Sequence, residues 1–233
     1  MPRSKATNAT TTDDPVDPIA SKRVSPKPPK PIRSGGTSGG ETRLRIIEAA
    51  VETLRVDGIT GASARTIARH GDFNQALIFY HFGSIDGLLV AAAISEGNRR
   101  SARYAERFAA VRTLPELVGV AREVHHEEQI DGAVTVLAQM LAGASSSPEL
   151  RAGVMAGVGP WMELVEAAIA RVICDSPFAG LVPFGDVAYA ISSLFLGFEL
   201  MTSVDTDGSR AATMFDTLDK MAALMHQFVT PTA

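Results

Sequence analysis

Apolar side chains recur every three or four residues through most of the chain after residue 40, which is the spacing of one face of an α-helix. The first such segment, 42–58, is expected to form a helix that ends at Asp57-Gly58, because glycine readily closes a helix in the left-handed conformation. The apolar face of this helix is formed by Ile46, Ile47, Ala50, Val51 and Leu54.

Two shorter helices are expected to follow, joined by a tight turn. Ser63 is a suitable N-cap for a helix over 64–70, and Gly71-Asp72 is typical of a turn because aspartate tolerates the left-handed region. Asn74 is a second cap, and its helix is expected to run to about Tyr80. Three helices with this spacing have the layout of a helix-turn-helix DNA-binding unit.

The third of these helices carries an unusual set of side chains for a protein surface. Phe73, Ile78 and Phe82 are expected to face inward, which leaves the rest of the segment exposed. The residues left outside are Gln75, Ala76, Phe79 and Tyr80, and His81 follows them at the end of the helix. An amide can bond adenine, alanine or an aromatic edge can contact a thymine methyl group, and tyrosine or histidine can reach phosphates. The alternative is a helical hairpin whose aromatic end packs on the next helix.

The segment 42–92 resembles the N-terminal domain of TetR-family transcriptional regulators without a gap. Its most specific part is the run Ile-Phe-Tyr-His-Phe-Gly-Ser at 78–84, followed by Leu88-Leu89. The resemblance implies an all-α protein, in which a three-helix helix-turn-helix domain precedes a helical effector-binding and dimerisation domain. The implied organisation is a basic, proline-rich, disordered arm (1–40), a DNA-binding domain (41–87) and the second domain (88–233).

The resemblance also implies which residues contact DNA. Arg65 corresponds to a position that contacts a base or a phosphate, and the start of the recognition helix corresponds to positions that read bases. Ser63 corresponds to a capping hydroxyl that can bond a phosphate. The full implied set is Arg43, Arg45, Ser63, Arg65, Thr66, Asn74, Gln75, Ala76, Phe79, Tyr80 and His81. Three positions depart from the family pattern, because Phe79 lacks a hydroxyl, Ile85 replaces a lysine and Leu77 is apolar where a small or polar residue is common.

Charge is distributed unevenly along the chain. Residues 1–40 hold seven Lys/Arg and three Asp, whereas residues 101–233 hold eight basic and sixteen acidic residues. The basic arm has two possible roles. It is either a solvated leader with no contact to DNA, or a segment that binds DNA phosphates and compensates for the weaker phosphate binding expected at Phe79 and Ile85.

Deleting residues 1–36 tests the role of the arm. If the arm binds phosphates, the truncated protein binds DNA more weakly, and the slope of log K against log salt becomes shallower by about 0.9 for each phosphate that the arm neutralises in the full-length protein. An unchanged slope would leave the arm as a solvated leader.

Further helices are expected over 88–110, 115–128, 131–143, 148–174, 185–204 and 209–229. The last two are expected to form a hairpin, and both are too apolar for solvent. The resemblance supplies a partner, a four-helix interface between two identical chains, which would bind a palindromic operator. Burial within one chain is the alternative.

Several bulky residues of the second domain are candidates for an effector pocket. They are His125, Met140, Met155, Trp161, Met162, Phe195 and Phe198. Each of them is also compatible with a purely structural role in the core. The run 125–128, His-His-Glu-Glu, does not predict a metal site, because adjacent helical residues point in different directions and no second pair accompanies them.

Other functional classes lack support in the sequence. No nucleophile elbow, phosphate-binding loop or paired zinc motif indicates an enzyme, and no cofactor is implied. A single cysteine and the lack of a recognisable signal peptide favour the cytoplasm, and Glu199 argues against a membrane span over 187–204. The sequence therefore predicts a dimeric bacterial transcriptional regulator. The leading prediction is a repressor whose DNA binding is controlled by a small, largely apolar molecule. The alternative is a DNA-binding protein of the same fold without an effector.

Overall fold

The computed structural model describes residues 36–177, 179–205 and 207–229. Ten α-helices account for most of these residues. They are α1 (Gly36–Val56), α2 (Gly58–Gly61), α3 (Ala64–His70), α4 (Ala76–Phe82), α5 (Ile85–Ala110), α6 (Leu114–Asp131), α7 (Ala133–Ala144), α8 (Pro148–Ile173), α9 (Phe184–Val204) and α10 (Ser209–Val229). The all-α prediction is confirmed. The basic arm, except for its last five residues, lies outside the described residues.

Helix boundaries differ from the expected ones mainly around the helix-turn-helix. Helix α1 begins at Gly36, earlier than predicted, and the single turn α2 was not predicted. Helix α4 starts two residues later than expected, because Asn74 does not cap the helix but stands before it and accepts a hydrogen bond from the Ala76 amide at 2.9 Å.

Local chemistry explains why these short helices stop where they do. Gly58 has φ +69°, which separates α1 from α2, and Asp72 has φ +50° in the turn between α3 and α4. The Ser63 hydroxyl accepts the Thr66 amide at 3.2 Å, so the predicted cap of α3 is confirmed. Gly71 is also required for space, because a Cβ there would overlap the ring of Phe73.

One hydrophobic core joins the helix-turn-helix to the rest of the described chain. Ile46, Leu54, Ile67 and Ile78 of α1, α3 and α4 are fully buried, and Leu88 of α5 is buried with them. The same core continues into α7 and α8 through Val136, Met140, Leu150 and Val154. Packing is therefore continuous across the domain boundary expected after residue 87.

Helices α5 and α8 form the most extensive helix pair, and they cross at two glycines. A Cβ on Gly97 would overlap the carbonyl oxygen of Gly157, and a Cβ on Gly157 would overlap the carbonyl oxygen of Ala93. The two backbones touch at this crossing, so it tolerates no side chain.

A second core lies further along α5 and α8. It contains Tyr104, Phe108, Val111, Val124, Trp161, Val165, Ala168, Ile169, Val172 and Ala188. Ion pairs between α5 and α6 flank it: Arg100 with Glu128, and Arg103 with Asp131. The prediction that α9 and α10 pack chiefly against each other as a hairpin is wrong. Helix α10 packs chiefly on α6, and it meets α9 through rings such as Phe198 and Phe215.

Candidate DNA-binding surface and effector cavities

The exposed face of α4 matches the face that the sequence pattern leaves outside. Gln75 and Ala76 are exposed, and Phe79 and Tyr80 retain 50% and 82% of their accessible surface. Ile78 is fully buried on the opposite side, and Leu77 packs partly against the same core. Such exposure of two aromatic rings on a short helix is costly in water unless a partner covers them.

An open groove, here called the α3–α4 groove, lies between α3 and the turn that leads into α4. It is lined by Arg65, Ala68, Arg69, Asp72, Phe73, Asn74 and Gln75. The groove brings together three of the residues expected to contact DNA, Arg65, Asn74 and Gln75, although Arg65 is nine residues or more away from the others in sequence. Arg69 was not expected there, and its guanidinium lies 3.8 Å from Asp57.

Three of the expected polar contacts already have intramolecular partners. The Ser63 and Thr66 hydroxyls lie 2.8 Å apart, and Ser63 also accepts the Thr66 amide. Asn74 accepts the Ala76 amide through its side-chain oxygen. These groups hold the two helices in place. Of the other polar residues expected to contact DNA from this part of the chain, Arg65, Gln75 and Tyr80 are exposed.

Two arginines of α1 stand over aromatic rings of the recognition unit. The Arg43 guanidinium lies 4.9 Å from the Phe82 ring centroid, and that of Arg45 lies 5.9 Å from the Phe73 centroid. Because α1 begins at Gly36, both arginines lie inside it and not at its start, where the predicted helix over 42–58 would place them. His81 is half-buried and packs edge-on against Tyr80, with ring centroids 4.9 Å apart.

A cavity lies among α5, α6, α7 and α8 and is here called the Glu128 cavity. It is partly open to solvent. Its apolar wall includes Val136, Leu137, Met140, Val154, Val158 and Trp161, and its charged rim includes Glu96, Arg99, Arg100, Arg103, Glu128 and Asp131. An apolar interior with a few polar groups is typical of small-molecule sites.

Glu128 is the deepest charged residue of this cavity, with 3% of its surface exposed. Its Oε1 accepts hydrogen bonds from Arg100 Nε at 3.1 Å and from the Tyr104 hydroxyl at 3.2 Å. Burial first, and the Glu128 charge second, raise the pKa of Tyr104, so the phenol stays protonated and donates. The Arg100 guanidinium also lies over the Trp161 ring, 4.2 Å from its centroid.

A second cavity, the Ser192 cavity, lies among α7, α8 and α9 and is also partly open to solvent. Both cavities are lined by Arg100, Leu137, Val154, Val158 and Trp161, so they meet at Trp161. Of the effector residues expected from the sequence, Met140 and Trp161 line the Glu128 cavity. Met155, Trp161, Met162 and Phe195 line the Ser192 cavity.

Two expected effector residues lie elsewhere. His125 lines neither cavity, because its Nδ1 lies 2.7 Å from Glu199 Oε1 and its ring packs on Phe198 and Phe215. Glu199 is 1% exposed and also accepts a hydrogen bond from Gln129, so His125 belongs to a buried polar network between α6 and α9. Phe198 lines a wider, open groove among α6, α9 and α10.

Helices α9 and α10 expose many large apolar side chains. They are Tyr189, Ile191, Leu194, Met201, Val204, Leu218, Met221, Leu224, Met225 and Phe228. By length and composition alone α9 also qualifies as a membrane span. The buried Glu199 and its bond to Gln129 instead indicate packing against α6.

Sequence reasoning missed Arg100 and Glu128, the central polar pair of the Glu128 cavity. They are 28 residues apart on different helices, so no local spacing links them. The only signal in the sequence is an arginine and a glutamate on the mostly apolar faces of two predicted helices. Within the described parts of the chain, no group of three His, Cys, Asp or Glu residues is placed to hold a metal ion.

The fold and the exposed α3–α4 surface define a helix-turn-helix DNA-binding protein with a helical second domain. Residues 46–92 match the family model for bacterial regulatory proteins of the tetR family. Residues 46–92 therefore form a DNA-binding segment of the kind found in TetR-family transcriptional regulators. A comparison with curated proteins finds no significant match.

Solved structures of similar fold cover nearly the whole described chain. A TetR-family transcriptional regulator from Cytophaga hutchinsonii aligns with a TM-score of 0.65 at 16% identity, over 85% of this chain and 100% of that one. The multidrug binding protein EbrR, complexed with imidazole, aligns with a TM-score of 0.55 at 24% identity, over 82% and 96%. FadR from Bacillus subtilis, in complex with stearoyl-CoA, aligns with a TM-score of 0.61 at 14% identity, over 77% and 96%.

Proposed function

We propose that the protein is a cytoplasmic homodimeric repressor that binds a palindromic operator and is released from it by a small, largely apolar effector. This proposal rests on α5, which connects the DNA-binding unit to the Glu128 cavity. Ile85, Leu88 and Leu89 pack in the core beneath the DNA-binding helices, and residues 96–103 of the same helix line the Glu128 cavity. A ligand in the cavity thus contacts the helix on which the DNA-binding unit is mounted.

The dimer is supported by the exposed apolar faces of α9 and α10. Two copies related by a two-fold axis would cover these faces and present two recognition helices to successive major grooves, about 34 Å apart. An effector then acts by favouring an arrangement of the two DNA-binding units that no longer fits this spacing. EbrR and FadR, which share the fold, are both found with small molecules bound.

Selection of duplexes from a random DNA pool tests the operator. The expected result is a palindrome whose half-sites lie one helical turn apart. Recovery of unrelated sequences, or of none, would contradict the proposal. A protein of this fold without an effector remains the second candidate, and it is favoured if neither cavity accepts any small molecule.

Two variants separate base contacts from phosphate contacts on the exposed surface. Gln75→Ala is expected to relax specificity at one base pair of each half-site, at about 1–3 kcal/mol, because an amide bonds a base edge in two places. Tyr80→Phe is expected to weaken binding to all duplexes alike, because the hydroxyl that it removes bonds phosphate. Competition titrations with operator variants measure both effects, and identical specificity profiles for the two variants would contradict the assignment.

A further inference from the structure

The buried carboxylate of Glu128 has one oxygen engaged and one unused. Oε1 accepts from both Arg100 and Tyr104, whereas Oε2 is buried and has no hydrogen-bond partner among the described residues. A buried acceptor without a partner costs about 1–3 kcal/mol, and more when it is charged. Because Glu128 lines the cavity, a ligand seated there that carries a hydrogen-bond donor would satisfy Oε2 once the side chains covering this oxygen move aside.

Charge balance restricts what that donor is. The cationic and anionic side chains of the rim are already paired with each other: Arg99 with Glu96, Arg100 with Glu128, and Arg103 with Asp131. A ligand with a full charge would enter this balanced site without a free counter-charge, and burying an unpaired ion is costly. A neutral donor avoids this cost and still satisfies Oε2.

The apolar wall of the Glu128 cavity determines which ligand body fits beside that donor. Val136, Met140, Val154 and Trp161 present aliphatic, thioether and aromatic surface, which favours a compact hydrocarbon body. We propose that the Glu128 cavity binds an uncharged, compact apolar molecule with a hydroxyl or amide hydrogen-bond donor, and that this donor bonds Glu128 Oε2. The assignment rests on the proposed function, since it takes this cavity as the effector site.

Four small probes that share one hydrocarbon body test the assignment on the full-length wild-type protein. Menthol supplies a neutral donor, menthyl methyl ether only an acceptor, menthylammonium a cation and menthanecarboxylate an anion. Trp161 is the single tryptophan of the chain and lines the cavity, so its fluorescence reports binding, and none of the probes absorbs in its excitation range. Menthol is expected to bind at least about tenfold more tightly than each of the others.

A glutamine variant checks that Glu128 is the origin of this preference. In Glu128→Gln the amide oxygen is retained by the donors Arg100 and Tyr104, so the amide nitrogen replaces Oε2 and turns an acceptor into a donor. The advantage of menthol over its methyl ether is expected to disappear. Glu163→Gln, on the exposed face of α8, is the matched control and is expected to keep it.

The outcomes distinguish this assignment from the proposed function. Equal binding of menthol and its ether, tighter binding of either ion, or no binding of any probe overturns the assignment. Because these titrations contain no DNA, they are independent of operator binding. The repressor proposal fails separately, if the protein recovers no operator or if a bound probe leaves the operator complex unchanged.

Discussion

Gly97→Ala is expected to lower the free energy of unfolding by about 2–3 kcal/mol, even though alanine is the better helix former by about 1 kcal/mol. The added Cβ would overlap the carbonyl oxygen of Gly157, a backbone atom that no change of rotamer can move away. Helices α5 and α8 would have to separate along their whole contact. Denaturant unfolding followed by circular dichroism measures the change in free energy.

Gly119→Ala is the matched control for this substitution. Gly119 also lies inside a long helix, α6, but a Cβ there would have no atom within 4 Å. The variant is expected to raise the free energy of unfolding by about 0.5–1 kcal/mol through helix propensity alone. If both variants changed stability in the same direction and by the same amount, the close crossing of α5 and α8 would not exist in solution.

The close crossing of α5 and α8 at two glycines could not be predicted from the sequence. Gly97 and Gly157 lie on unremarkable amphipathic segments, and neither has an unusual backbone angle that a turn signal would reveal. Their importance arises only from the way in which two long helices pack, which no local pattern encodes. The Ser63 cap and the Asp72 turn, by contrast, depend on their immediate neighbours and were predicted correctly.

The same distinction applies to the candidate sites. The exposed face of α4 follows from a period of 3.6 residues over one short helix, so Gln75, Phe79 and Tyr80 could be placed from sequence. In α6, the periodicity drew attention to His125, but its partner Glu199 is 74 residues away and turns it into part of a structural network. Glu128, three residues later, is the residue that faces the cavity.

The buried polar residue of α9 and its exposed apolar residues indicate which side of the helix packs within the protomer and which side is left for a partner. Glu199 faces α6 and is satisfied within the protomer, so that side of the helix is complete. Leu194 and Met201 remain 73% and 69% exposed, which is unfavourable for a helix surrounded by water. A second copy of the same surface would remove both side chains from water in a symmetric arrangement.

Leu194→Glu is therefore expected to convert the dimer into a folded monomer and to weaken operator binding by at least about a hundredfold. The side chain is exposed in the protomer, so the substitution leaves the core of each chain intact. In the dimer the two-fold axis would bury the new carboxylate twice in an apolar interface, which costs several kcal/mol. Sedimentation velocity measures the assembly state, and titration of the selected operator measures the affinity.

Leu181→Glu supplies the control, because Leu181 is 79% exposed but lies in the segment between α8 and α9. This variant introduces the same charge and is expected to remain dimeric and to bind the operator as the wild type does. If Leu194→Glu also remained dimeric, the interface would lie on another surface. If the wild type itself were monomeric at the concentrations at which it binds DNA, the two recognition helices could not be held at a fixed spacing, and a palindromic operator would lose its physical basis.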